Sequence, residues 1–364
     1  MNLYILYVGR YELPDGTASA QRVIGIAKGL RFLGCKVEFL NPKKNTLIEE
    51  NEKEYYGFKC YEYQMEKEYD SMFSGKTVLK HIRLKKPDIV ILYNHPAIPL
   101  LRIIGFCHRN GIKCIMDATE WYVASGKNAI YRIIKTMDTF LRMRVLNKQT
   151  DGIIAISRYL YDYYKCKVDT VLIPPTIDIE DKKWKYIAEK SNNCTFIYAG
   201  SASAQKESLD KIIKSFEEIE NADLRLVIVG MTEEEFRKMY KWDASISKQI
   251  EFKGRLTHEE TIKKILESNW YIIIRPNNKV VQAGFPTKLV ESITCGVPVI
   301  VNNFSNISDY IDESNGIITK EEELQCAIKK AVSTQISPNK EMFDYHRYIT
   351  ELEMLLNRII NRVR

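Results

Sequence analysis

The chain has 364 residues, 45% of them hydrophobic, and 54 Lys and Arg against 47 Asp and Glu leave a formal net charge of +7. This length exceeds what one core usually fills and predicts two domains, while the mild cationic excess suits an anionic substrate or membrane surface without demanding nucleic acid, for which no aromatic-basic motif is present. The eight cysteines are scattered with no C-x-x-C pair and no His cluster, which argues against zinc and disulfides and for a reduced cytoplasmic setting. No apolar run reaches the roughly 18 residues of a membrane span, so any membrane contact is expected to be peripheral.

The apolar run 1–9 reaches a glycine at once and reads as a first strand rather than a signal segment. A polar loop follows, in which Gly16 reads either as a point of close approach to a ligand or as plain loop. A helix is predicted over 20–33 from the spacing of Val23, Ile26, Ala27 and Leu30, ended by Gly34. Strands at 36–40, 88–93, 113–116 and 152–156, mostly separated by helical stretches, predict a parallel sheet covered by helices, with function at the strand ends. Asp117 and Glu120, at the end of one strand, either position a substrate hydroxyl or make structural hydrogen bonds, and Trp121 and Tyr122 beside them suit sugar faces. His95 is a second candidate, or a helix-start residue. The helix over 131–146 interleaves Arg132, Lys135, Arg142 and Arg144 with Ile133, Ile134 and Leu141, and reads as a solvated charged face or as contact with an anionic membrane. Ser157 reads as an N-cap.

Two prolines and a charged segment place a domain boundary near 175–193, giving domains 1–175 and 176–339 and a helical segment 340–364. Strands at 195–200, 224–230, 250–254, 270–274, 298–301 and 316–318 predict a second doubly wound domain. Its loops carry the richer chemistry. Gly200 and Lys206 follow the first strand and read as a phosphate cradle or an ordinary turn. Gly254 and Arg255 precede Thr257 and Glu260, which are spaced as a capping box. Arg275 directly follows an apolar strand, as a site or a loop residue. No Asp-x-Asp follows an apolar strand, so no divalent metal is expected, and Asp178 and Asp181 read as a solvated acidic patch. The run Gly284, Phe285, Pro286, Thr287, Lys288 to Glu291 joins a loop to a helix start. Free N–H groups, the helix dipole and Lys288 suit a diphosphate there, and Glu291 on the same face can accept hydrogen bonds from a ribose diol.

The stretch 283–300 resembles the C-terminal signature of GT-B-fold retaining glycosyltransferases of glycosyltransferase family 4, in the Pro-Thr-Lys form found among bacterial surface-polysaccharide transferases. Glu291 matches the second of the family's two glutamates, which holds the nucleotide ribose; Ala283 stands at the first, which contacts the donor sugar. The resemblance implies an α/β GT-B fold, two doubly wound Rossmann-like domains facing across a cleft, with 340–364 packing back on the first. It implies that Lys206 and Lys288 neutralise the leaving diphosphate in place of a metal, that Gly254 and Arg255 frame the base, and that the Gly16 loop approaches the phosphates. Asp117 and Glu120 would serve the acceptor. The expected reaction moves a sugar with retention from a nucleotide-diphosphate donor to a glycan or lipid-linked acceptor, with no cofactor, in surface polysaccharide synthesis at the inner face of the membrane. The alternatives are a sugar-nucleotide epimerase, which shares the fold, and a degenerate GT-B subunit supporting a partner, which Ala283 keeps open.

Overall fold

A computed structural model describes residues 1–11, 13–14, 17–43, 50–64, 74–123, 129–190, 193–200, 203, 206–221 and 223–362. Gly16 lies outside the described residues. The chain divides into two compact units, Met1–Ile177 with Tyr345–Arg364, and Asp178–Asp344.

The first unit holds an eight-stranded sheet: β1 (Tyr4–Gly9), β2 (Lys36–Lys43), β3 (Glu50–Tyr55), β4 (Phe58–Gln64), β5 (Ile89–Tyr93), β6 (Lys113–Ala118), β7 (Gly152–Ala155) and β8 (Asp169–Leu172), in the order β3-β4-β2-β1-β5-β6-β7-β8. All five residues of β5 are buried, as an apolar strand covered on both faces requires. Every pairing is parallel except β3 with β4. This antiparallel edge hairpin departs from the wholly parallel sheet expected. Its turn residues Tyr56 and Gly57 both take positive φ, 54° and 75°, the backbone of a two-residue hairpin turn that matches strand twist. The residues of β3, Glu-Asn-Glu-Lys-Glu-Tyr, carry no apolar alternation, so nothing in their pattern announces a strand, and their charge suits an edge. Helices α1 (Ala18–Phe32), α2 (Lys76–Lys85), α3 (Ala97–Arg109), α4 (Ala129–Arg144) and α5 (Arg158–Tyr164) connect the strands. Thr17 caps α1, and Ser157 caps α5 by accepting from the Leu160 N–H at 3.4 Å. The C-terminal helix Ile349–Asn361 inserts Leu352, Leu355, Leu356 and Ile359 into the core built on β1, β2 and α1.

The second unit holds six parallel strands: β9 (Cys194–Ala199), β10 (Leu224–Val229), β11 (Ile250–Gly254), β12 (Trp270–Ile273), β13 (Val299–Asn302) and β14 (Gly316–Thr319), ordered β11-β10-β9-β12-β13-β14. All six were expected. Their helices are α6 (Leu209–Glu217), α7 (Glu233–Tyr240), α8 (His258–Leu266), α9 (Lys279–Ala283), α10 (Thr287–Thr294) and α11 (Leu324–Val332). The core packs Phe196, Phe216, Leu226, Ile272 and Ile300 with α6 and α11. Chain order reverses between β9 and β12 in this sheet, and between β1 and β5 in the first. A doubly wound sheet opens a crevice at such a reversal, beyond the strands' carboxyl ends.

Candidate active site

At the reversal in the second unit, Glu207 follows β9 and Arg275 follows β12, and they meet with Nη2 and Oε1 2.6 Å apart. Asn302, ending β13, clasps Arg275 from both sides: it accepts from the Arg275 N–H at 2.9 Å and donates to its carbonyl at 2.7 Å. The guanidinium also lies 5.3 Å from the Phe304 ring centre. Burial pushes the Glu207 carboxyl up, and the charge and hydrogen bond of Arg275 pull against it. The other Glu207 oxygen, Arg275 Nε and the Tyr198 hydroxyl are buried without a hydrogen-bond partner among the described residues. Three such atoms in one place are costly unless a partner beyond the described residues, a water or a ligand completes them. Lys206, in the turn before Glu207, adds positive charge beside it.

The loop into α10 stands on the same sheet edge. Pro286 occupies the N-cap, just outside the first helical turn, and no side chain caps the helix. Phe285 anchors the loop, its ring edge-on to Tyr310 at 5.3 Å and 6.0 Å from Phe343, so its side chain is spent on packing. The Gly284 carbonyl accepts from Ser305 Oγ at 2.8 Å, which fixes the loop from β13. Gly284 itself is extended, and a Cβ there would meet nothing closer than 3.5 Å, so any need for glycine comes from a ligand. Ala283 is wholly buried at the end of α9.

Glu291 is buried within α10 and held from two sides, by Lys288 Nζ at 2.7 Å and His258 Nε2 at 3.2 Å. Burial pushes its carboxyl up, but the Lys288 charge and the His258 hydrogen bond outweigh this and leave it at about 2, so it is ionised at neutral pH. The two clusters flank one ring. Tyr271 on β12 donates to the Ala199 carbonyl at 2.7 Å, and burial, then Glu207, then Glu291 raise its hydroxyl well above the usual range. Gly254 takes the left-handed conformation at φ 65°, which lets β11 turn sharply while its carbonyl accepts from the Gly230 N–H at 2.7 Å. Arg255 extends into solvent and pairs with Glu235 at 2.7 Å. Thr257 and Glu260 form the expected capping box on α8, which carries His258.

In the first unit Asp117 is engaged from two sides. The Arg22 Nε and Nη2 atoms lie 2.8 and 2.7 Å from Asp117 Oδ1, and the Tyr7 hydroxyl donates to Oδ2 at 2.5 Å. With contacts to both oxygens, one of them from a buried guanidinium, Asp117 is held in a buried network that fits the structural of its two readings. Trp121 and Tyr122 are likewise not laid open for a sugar: Trp121 is enclosed by Tyr159 and Tyr163, and Tyr122 lies under the Arg142 guanidinium at 4.3 Å. Glu120 stays half-buried beyond β6, beside Tyr122. The reversal between β1 and β5 carries different residues. Arg10 and His95 follow those two strands and line a cleft with Tyr63, Lys76 and Thr77. Burial lowers the His95 imidazole to about 4, Nε2 lies 3.2 Å from the Val8 carbonyl, and the ring is neutral at pH 7.

His258 and Glu207 were not singled out from sequence. Each sits inside a run that was, next to Thr257 and to Lys206, but their partners lie 33 and 68 residues away. The fold also gathers His108, Cys114 and Asp151, with ligand atoms within 4.8 Å of one another, where the sequence shows no cluster. They stand at the opposite, amino edge of the first sheet, where Asp151 already accepts from the Cys114 N–H at 2.8 Å and Lys113 lies 3.9 Å from it.

Residues 178–348 match the family model for glycosyl transferases group 1. No curated protein matches the chain in sequence. Among solved structures it is similar over 99% of both chains to sucrose-phosphate synthase from Thermosynechococcus elongatus, with a TM-score of 0.67 and 12% identity. It is similar to Anabaena Alr3699/HepE in complex with UDP-glucose, covering 98% of this chain and 100% of that one at a TM-score of 0.68 and 13% identity. A trehalose-6-phosphate structure from E. coli, bound with UDP-2-fluoro glucose, aligns over 99% of both chains at a TM-score of 0.69 and 8% identity. The fold is thus two parallel-sheet α/β Rossmann-like domains, of the GT-B type expected.

Proposed function

We propose that this protein is a glycosyltransferase that moves a sugar, with retention, from a nucleotide-diphosphate donor to a hydroxyl of a glycan or lipid-linked acceptor in surface polysaccharide synthesis. The observation that carries the donor half is Glu291, buried and ionised between Lys288 and His258, in the second turn of a helix whose start has no side-chain cap. A carboxylate has about four acceptor positions, so two remain for a ribose diol. Lys288, partly exposed, is free to turn toward phosphate, and the helix N-terminus favours the same charge. Lys206 and Arg275 add cations beyond β9 and β12, and the polar atoms of Tyr198, Glu207 and Arg275 that have no partner among the described residues suit a polyhydroxylated, anionic ligand. The group 1 match covers these residues. UDP-glucose in the HepE structure makes UDP-sugars the first donors to try.

In this reading Lys206 and Lys288 neutralise the leaving diphosphate without a metal, and catalysis rests on positioning and charge stabilisation. The acceptor side shifts from Asp117 to the cleft holding Arg10, Lys76 and His95. The reaction is placed at the cytoplasmic face of a membrane, through peripheral contact. The test is product analysis with each UDP-sugar in EDTA, with and without saccharide acceptors, the anomeric configuration read by NMR. Acceptor-dependent transfer with the donor's configuration is expected. A changed sugar nucleotide formed without acceptor would make the protein an epimerase, and restoration of transfer only by magnesium or manganese would overturn the role given to the lysines.

A further inference from the structure

Helix α4 is built inside out. Its inward side carries polar groups: Asp138 accepts from the Ala97 N–H at the start of α3 at 2.6 Å, and Arg142 reaches Asp138 at 3.6 Å and donates to Asn94 Oδ1 at 3.0 Å. Thr139 and Met143 are buried with them. The opposite side is the apolar one. Ile130, Ile133, Ile134, Met137, Phe140 and Leu141 recur at helical spacing and all face solvent, with Ile130 69%, Ile133 61%, Met137 61% and Phe140 52% exposed. Val123, ahead of the helix, is exposed as well. A soluble protein seldom leaves so continuous an apolar stripe open to water, where its burial elsewhere would be favourable.

We propose that this stripe is a docking face for an anionic lipid surface. The charges choose the occupant. Arg132 and Arg144 are exposed and Lys135 half-exposed along the helix, while its one acidic residue, Asp138, is turned inward and paired. Arg144 lies 5.4 Å from the Phe140 ring centre, so cation and apolar surface form one face. A second copy pressed against this face would bring like charges together with no exposed carboxylate on the helix to answer them. Acidic headgroups answer them directly, and the apolar side chains reach the acyl boundary, as an interfacial helix does. This deepens the peripheral-membrane part of the proposed function, yet the docking needs neither donor nor turnover.

The experiment is sedimentation of the full chain with vesicles of equimolar phosphatidylglycerol and phosphatidylcholine, against phosphatidylcholine alone, in the absence of nucleotide sugar. Binding to the mixed vesicles is expected, weakened by salt. Ile133→Ser combined with Phe140→Ser should lower it more than tenfold. Arg132→Gln and Arg144→Gln should lower it about fivefold each. Because these side chains are exposed, the variants should keep the wild-type melting temperature, and the charge variants test the face should the serine variant fold poorly. No binding to the mixed vesicles, or equal binding by wild type and both variant pairs, overturns the proposal. So does a concentration-dependent dimer in ultracentrifugation that the serine pair abolishes, which would make the face a contact between copies. Donor titration on the same preparations separates failure of this face from failure of the donor site.

Discussion

Asp117 and Glu291 are both buried carboxylates, and their partners give them opposite work. Asp117 faces an arginine that is itself buried, so the pair is closed; Glu291 faces Lys288, whose side chain is 26% exposed and so open to a ligand. Breaking a buried pair strands a charge at a cost of about 3–5 kcal/mol. Asp117→Ala should therefore lower stability in denaturant unfolding by roughly that much; a variant of wild-type stability that has lost turnover would restore Asp117 to the site. For Glu291 the folded pKa is depressed from 4.5 to about 2. A depressed carboxylate stabilises the fold above its unfolded pKa and loses that contribution as pH falls toward the folded one. The stability advantage of wild type over Glu291→Gln should thus be full above about pH 4.5 and vanish by about pH 2; an advantage independent of pH across that window would mean that Lys288 and His258 do not hold the charge. Lys288 and Glu291 were legible in sequence because they lie three apart on one helix face. Arg22 and Asp117 are 95 residues apart, and only the sheet brings them together.

At the scale of elements, loops hold the site and caps hold the loops. The capping box of Thr257 and Glu260 fixes the start of α8, and His258, its first residue, is thereby aimed at Glu291. Thr257→Ala should cost about 1 kcal/mol in chemical denaturation, and a larger loss of nucleotide affinity than of stability would show that the cap positions His258; unchanged values of both would remove it from the account. Elements were legible where their signal is local. The six strands of the second unit are short apolar runs between turns, and a capping box is a spacing of three. The β3–β4 hairpin was hidden because a charged edge strand and a Tyr-Gly turn lack the usual cues. Helix α4 stayed open between two readings for another reason: its periodicity shows that apolar and charged residues segregate, but which side faces the protein depends on Ala97, Asn94 and Tyr122, which lie outside the helix.

For the whole molecule, the reversal of chain order in each sheet explains where the chemistry collects. Residues 10 and 95 stand beyond one reversal and residues 206, 207 and 275 beyond the other, whereas Asp117, one strand farther along, is sealed into the core. A duplicated α/β plan supplies two such edges from one chain, and the second carries the cations and the buried carboxylates that suit a nucleotide sugar. Calorimetric titration of each nucleoside diphosphate, in EDTA, into wild type, Lys288→Ala and Glu291→Ala tests that assignment most directly. The account predicts that one of them binds wild type and that each substitution weakens it by about 1.5–3 kcal/mol, roughly ten- to a hundredfold in Kd, with the variants still folded. Equal affinity in all three proteins, or no binding of any nucleoside diphosphate to the wild type, would contradict it.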